Sequence, residues 1–130
     1  MLAVVNTTAT ALTAGATVPM GSARVRTNGE ASVNNGTVEI QRAGTYEVLS
    51  TVVFTATAAG DVTLQMQAGG VNVPGALATA TATAAGTVTL PVMATLQARQ
   101  SAPGARIPLT WTISAAGTLV AANASVKRVI

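Results

Sequence analysis

Few residues in this sequence of 130 amino acids could carry out acid–base, nucleophilic or metal chemistry. The chain has no histidine and no cysteine, which excludes Ser-His and Cys-His nucleophile pairs and the usual zinc ligands. Two of its carboxylates could in principle act as a glycosidase pair, but acidic side chains mostly occupy exposed surface and turn positions. We therefore predict that the protein is not an enzyme. The four acids are Glu30, Glu39, Glu47 and Asp61.

Cofactor and metal motifs are also missing from the sequence. Calcium takes about six to eight oxygen ligands, and no loop rich in Asp and Asn supplies them, although a site on a symmetry axis between subunits stays open. The segment "AGGVNVPG", residues 68–75, lacks the Gly-Lys-Ser/Thr of a phosphate loop and predicts a hairpin turn instead. We expect no cofactor.

Aromatic and basic residues point away from a nucleic-acid partner. Stacking on single strands needs exposed aromatic side chains, and the chain has one Trp, one Tyr and one Phe. Tyr46 and Trp111 could stack on a sugar, but each falls on the predicted core face of its strand, which favours packing. The net charge is only +3, and the basic residues are scattered along the sequence. We expect them to be solvated surface residues.

The composition favours one folded domain over residues 1–130. Charged residues make up 8% and hydrophobic residues 49%, the opposite of a disordered chain. So little charge favours an oligomer or a subunit of a larger assembly. No apolar run approaches the ~20 residues of a membrane span, and the first residues lack the basic region of a signal peptide. We expect no membrane partner and synthesis in the cytoplasm.

Thr and Val are abundant and favour strands. Turn signals recur at short intervals, for example Asn35-Gly36, Gly69-Gly70 and Pro103-Gly104, which is typical of a sandwich or barrel. The stretch "ALATATATAAG", residues 76–86, is rich in helix-forming Ala, but its Ala-Thr alternation predicts a strand with the threonines in water. The long strands are predicted at 45–57, 61–67, 76–84, 86–97, 107–114 and 118–130, after several shorter ones that include 17–20.

Two kinds of strand are present. Segments 61–67 and 107–114 have a polar face, whereas 45–57 and 118–130 are apolar or small on both faces, so we predict a two-sheet sandwich whose inner sheet is covered by other subunits. Pro91 predicts an edge strand or a bulge. Leu49, Val53 and Met93 are the predicted trimer-interface residues. In strand 118–130 the residues predicted to share one face are Val120, Ala122, Ala124 and Val126. The predicted core residues are Tyr46, Val48, Val52, Phe54, Leu64, Met66, Leu90, Val92, Leu109, Trp111 and Ile113.

Residues 40–76 carry a family resemblance. Ile40, Gly44, Tyr46 and Val48 are followed by the alternating strand 61–67 and by further glycines. This pattern resembles the C1q/TNF-like trimeric jelly-roll domains, in their bacterial and phage versions, and the closing segment 109–130 is similar to the last two strands of that family. The resemblance implies an all-β jelly-roll sandwich of about ten strands and a homotrimer whose inner sheet packs around the threefold axis. The chain departs from the family in having few aromatic residues and no collagen-like stalk.

A freestanding domain of this type looks most like a phage virion protein. The resemblance therefore implies a structural subunit, a trimeric capsid decoration or head-fibre protein that binds or stabilises the shell and is located in the virion. Residues 1–20 are the candidate for an N-terminal arm that contacts the capsid. The alternative is a receptor-binding or carbohydrate-binding trimeric tip or surface module, with recognition carried by the loops.

Overall fold

A computed structural model describes residues 1–27, 29–99 and 105–130. These residues form eleven antiparallel strands, close to the predicted ten, and no helix among them is long and apolar enough to cross a membrane. The strands are β1 (Leu2–Asn6), β2 (Thr10–Leu12), β3 (Ser22–Arg26), β4 (Ala31–Asn34), β5 (Thr37–Ile40), β6 (Gly44–Ala56), β7 (Gly60–Ala68), β8 (Val71–Ala82), β9 (Thr87–Ala98), β10 (Ile107–Ile113) and β11 (Gly117–Arg128).

The strands form two sheets. The six-stranded sheet has the order β3-β1-β11-β6-β9, with β2 also paired to β11, and the five-stranded sheet has the order β4-β5-β10-β7-β8. The strands predicted to be apolar on both faces, β6 and β11, lie together in the six-stranded sheet. Those predicted to have a polar face, β7, β8 and β10, lie together in the five-stranded sheet. The predicted division into two kinds of sheet is confirmed.

The core fills the space between the sheets. All eleven residues predicted for it are 2% exposed or less. On β8 the alternation works as predicted, because Ala76 and Ala82 are buried while Thr79 and Thr81 face solvent, although the strand ends at Ala82. Pro91 lies on β9, which is an edge strand of its sheet, as its missing N–H requires.

Two of the predicted turns are tight hairpins. Asn35 and Gly36 join β4 to β5 with φ values of 50° and 78°, and Gly69 and Gly70 join β7 to β8 with φ values of 60° and 82°. Positive φ at both central residues is the type I′ geometry, which Asn-Gly and Gly-Gly favour because it matches the strand twist. The predicted turn at Pro103-Gly104 lies outside the described residues.

A β-bulge in β11 corrects the predicted face of that strand. The register with β6 shifts between Leu119 and Ala121, so Val120 has no direct partner there. Leu119 is therefore fully buried, whereas Val120 is 43% exposed and does not share a face with Ala122 and Val126. Simple alternation assumes that every second residue of a strand lies on the same face. A bulge inserts one residue, so the residues before it and after it follow different alternation, which the sequence pattern does not show.

The first twenty residues belong to the sandwich rather than to a separate arm. β1 lies between β3 and β11, and its side chains Leu2 and Val4 are buried in the core. Val18 and Met20 are also buried, although residues 17–20 form only an isolated bridge through Thr17 and not the predicted strand. Removing this segment would expose core side chains and open an interior sheet edge.

A buried hydrogen-bond chain joins the two sheets. Trp111 on β10 donates its indole N–H to Ser50 Oγ on β6 at 3.0 Å, and Ser50 Oγ donates to the carbonyl of Val92 on β9 at 2.8 Å. Ser50 is only 4% exposed. An indole N–H needs an acceptor when it is buried, and this serine supplies it in an otherwise apolar row.

We predict that Ser50→Ala lowers the free energy of unfolding by about 1–3 kcal/mol, because it leaves the indole N–H unsatisfied in the core. Urea unfolding at a fixed protein concentration measures the change. Ser22→Ala, on the exposed strand β3, is the matched control and should stay within about 0.5 kcal/mol of the unsubstituted protein. Equal midpoints for the two variants would show that the buried bond contributes nothing net.

Candidate functional site

The three predicted interface residues lie on the solvent-facing side of the six-stranded sheet. Leu49 on β6 is paired directly with Met93 on β9, and they are 43% and 71% exposed. Val53, on the same side of β6 as Leu49, is half-buried and pairs with Thr89 and Ala121. We call the solvent-facing side of β6, β9 and β11 the outer apolar face. Whether it contacts another copy stays a prediction.

Two further features of the outer apolar face were not predicted from the sequence. The bulge in β11 brings Val120 to the solvent side, which enlarges the exposed apolar area. A shallow groove of about 340 Å³ runs beside Leu49 and Met93, with Glu47 at its rim. No local sequence pattern predicts either feature, because both depend on how neighbouring strands pair.

The outer side of the five-stranded sheet is different in character. Its side chains bond to one another: Thr63 and Thr79 share a hydroxyl hydrogen bond of 2.8 Å, and Gln67 donates to Asn72 at 2.8 Å. The large apolar side chains that this sheet exposes are Val71 and Leu77 on β8, which are 69% and 50% exposed and are not paired with each other. The outer apolar face has a bond of the same kind, between Thr55 and Thr87 at 2.9 Å, but it also holds the exposed apolar pair Leu49 and Met93.

The four carboxylates have separate surroundings. Glu30 forms an ion pair with the amino group of Met1 at 3.3 Å, and Glu39 forms one with Arg106 at 3.5 Å. Asp61 accepts a hydrogen bond from Thr81 at 2.9 Å. Within the part of the chain that the structure describes, no group of three or more His, Cys, Asp or Glu residues could hold a metal ion.

Tyr46 and Trp111, weighed above for sugar stacking, are fully buried, and so is Phe54. The Tyr46 hydroxyl donates to the carbonyl of Arg42 at 2.7 Å, which ties the start of β6 to the preceding loop. Burial raises the pKa of the Tyr46 phenol above its ordinary value, a change that the nearby Arg128 opposes and Glu30 reinforces. Tyr46 and Trp111 are thus structural residues in this fold.

The architecture is shared with solved structures of very different sequence. The Eiger TNF structure from S. frugiperda matches 99% of this chain and 92% of its own length at 10% identity with a TM-score of 0.74. The globular domain of zebrafish complement 1qA protein matches 95% and 94% at 11% identity with a TM-score of 0.63. PRD1 vertex protein P5 matches 95% and 93% at 13% identity with a TM-score of 0.65.

The chain has the TNF/C1q-like jelly-roll fold. The predicted fold class is confirmed, and a trimer is consistent with this fold. No protein-family model matches the sequence, and no curated protein matches it. At these low identities the similarity concerns the fold alone, so the function must be argued from the surfaces described above.

We predict that the single tyrosine of the folded protein ionises at a higher pH than the same residue in urea, where it titrates near ~10. Because the pKa is raised on folding, the unfolded chain loses this proton first as the pH rises. The stability that this phenol contributes is therefore complete below the unfolded pKa and declines as the pH rises toward the folded pKa.

Ultraviolet absorbance of tyrosinate follows this titration directly, because Tyr46 is the only tyrosine in the chain. Tyr46→Phe should abolish the signal and the part of the alkaline stability loss that comes from this group. Titration of the folded and urea-unfolded chains at the same pH would contradict the prediction.

Proposed function

We propose that this protein is a non-enzymatic structural subunit of a phage virion, a homotrimer that decorates the capsid or forms part of a head fibre. The observation that carries the proposal is the outer apolar face, where Leu49 and Met93 lie side by side and exposed on a sheet whose opposite side already forms the core. A folded chain with so few charges gains by covering such a face with copies of itself.

The position of this face supports association between the sheets of neighbouring copies. The exposed apolar side chains lie near the middle of β6 and β9, away from the turns, so neighbouring copies would meet sheet against sheet. In such an association the groove beside Leu49 and Met93 would be filled by a neighbour's side chains. The jelly-roll resemblance supports three copies around one axis rather than a pair.

The virion assignment draws on different support. One protein of similar fold is a vertex protein of the phage PRD1. Binding to a shell would then use shape and surface contacts rather than catalysis. The alternative of a carbohydrate-binding tip would need exposed aromatic side chains, whereas Tyr46, Phe54 and Trp111 are all buried.

We predict that Met93→Asp dissociates the trimer, because a charge would be buried without a partner between subunits. Light scattering at a concentration where the unsubstituted protein is trimeric measures the change. The matched control is Leu77→Asp, which places the same charge at a half-exposed apolar position of the other sheet and should leave the trimer intact.

Met93 tests the interface better than Val53. Val53 is half-buried within its own chain, so Val53→Asp would strain the fold as well as any contact between copies. Met93 is 71% exposed, so its replacement should leave the isolated chain folded. A monomeric unsubstituted protein, or a Met93→Asp variant that remains trimeric, would overturn the proposed interface.

The virion role has its own measurement. We predict that the purified protein sediments with empty shells assembled from the capsid protein encoded beside its gene. Met93→Asp should sediment less than the unsubstituted protein if trimers give multivalent attachment. Recovery of the protein in the supernatant, or the lack of any capsid gene nearby, would overturn the virion assignment while leaving the trimer unaffected.

A further inference from the structure

The basic residues, scattered along the sequence, gather at one end of the sandwich. The strand register defines this end: Arg128 near the end of β11 is paired with Tyr46 near the start of β6, and Gly44 is paired with Ala98 at the end of β9. Arg26 reaches the same end because it is paired with Leu2 on β1. We call this end the basic end, and its six exposed cations are Arg26, Arg42, Arg99, Arg106, Lys127 and Arg128.

The basic end carries the whole net charge of the protein. Six of the seven Lys and Arg residues lie there with three of the four acids, which leaves +3. The other two charged side chains, Arg24 and Asp61, cancel each other. Of the six cations, only Arg106 forms an ion pair within the described residues, with Glu39 at 3.5 Å.

The opposite end is built from small neutral turns of nearly one sequence. Residues 57–60 and 83–86 both read Thr-Ala-Ala-Gly, and 114–117 reads Ser-Ala-Ala-Gly. Backbone hydrogen bonds join these turns, since Ala56 N donates to Gly86 O at 3.0 Å and Thr57 N donates to Ala116 O at 3.1 Å. Asp61 is the one charged side chain beside them. The two ends of the sandwich therefore differ in charge, because one is basic and the other is nearly neutral.

We propose that the basic end is a docking surface for an acidic protein surface. The charge complementarity is direct, because five exposed cations at this end have no carboxylate partner within the described residues. The proposal does not depend on the virion assignment, and it concerns a surface that adjoins the outer apolar face proposed for the trimer, with Glu47 at the boundary.

Two of the cations, Lys127 and Arg128, lie on a strand whose end is fixed by backbone hydrogen bonds. Beyond β11 the chain continues to pair with β6, since Val129 N donates to Thr45 O at 2.8 Å and Thr45 N donates to Ile130 O at 3.2 Å. The side chain of Arg128 packs over Gly44, where φ is 154° and an added Cβ would collide with it. Fixed positions reduce the entropy lost when the cations bind a partner.

The mixture of groups at the basic end favours a protein over a nucleic acid. Glu30, Glu39 and Glu47 lie among the cations, so the basic end has mixed charges rather than the uniform basic stripe typical of nucleic-acid binding. No aromatic side chain is exposed for base stacking. Val129 and Ile130 are 45% and 82% exposed at the same end. Apolar side chains beside charges suit a protein interface, in which a few apolar contacts accompany a polar rim.

The experiment measures binding of the purified full chain to immobilised poly-L-glutamate and, separately, to double-stranded DNA of random sequence, at low and near-physiological ionic strength. We expect binding to poly-L-glutamate that weakens with salt. The triple variant Arg26→Gln, Arg42→Gln, Arg99→Gln should weaken it by about tenfold, since each exposed charge contributes a modest part. Arg128 is left in place because it packs on Gly44.

The control changes the net charge equally but at the other end. Ala58→Glu, Ala59→Glu and Ala116→Glu together lower the net charge by three units by adding carboxylates at exposed positions, and this variant should keep most of the affinity. Equal loss in both variants would mean that binding follows net charge alone, which overturns the site. Tighter binding to DNA than to poly-L-glutamate, or no binding at low salt, would also overturn the proposal.

Discussion

The hydrogen bond from the Trp111 indole to Ser50 Oγ is the constraint on which this sandwich depends. It is a direct polar link between the two sheets in the middle of an apolar core, and Ser50 passes the link on to the Val92 carbonyl. Apolar contacts alone tolerate sliding, because they have no direction, whereas a buried N–H must find its acceptor. The bond therefore fixes how far β10 lies along β6. With that position set, Tyr46 and Phe54 fill the core on either side of Ser50.

Fixing the core decides which side chains are left outside. Along β6 every second residue from Tyr46 to Ala56 faces the other sheet, so Leu49 and Val53 must face away. On the five-stranded sheet the corresponding outward positions are mostly Thr and Gln, which bond to one another. On the six-stranded sheet some of them are apolar and cannot be satisfied by water. The proposed association is thus a consequence of how the side chains of β6 are divided between the two sides of the sheet.

Local alternation predicted much of this, because a side chain's face depends on its own strand. The alanine and threonine faces of β8 and the burial of Trp111 followed from period two alone. The bulge at Val120 did not, since it is defined by the pairing of β11 with β6. Ser50 was not predicted to be buried, because a polar residue does not fit the apolar pattern of the positions on either side of it. The outward position of Leu49 and Met93 was predictable, whereas their direct pairing required the register between strands.

The difference in charge between the two ends could be predicted only once the strand directions were known. In an antiparallel sandwich every strand must begin at one end and finish at the other, so residues far apart in sequence meet at the same end. Arg26, Arg42 and Arg128 illustrate this, because they come from three distant segments and share one end. The Ala-Ala-Gly turns meet at the other end for the same reason. In a chain with so few charged residues, topology rather than composition decides where its electric field is strong.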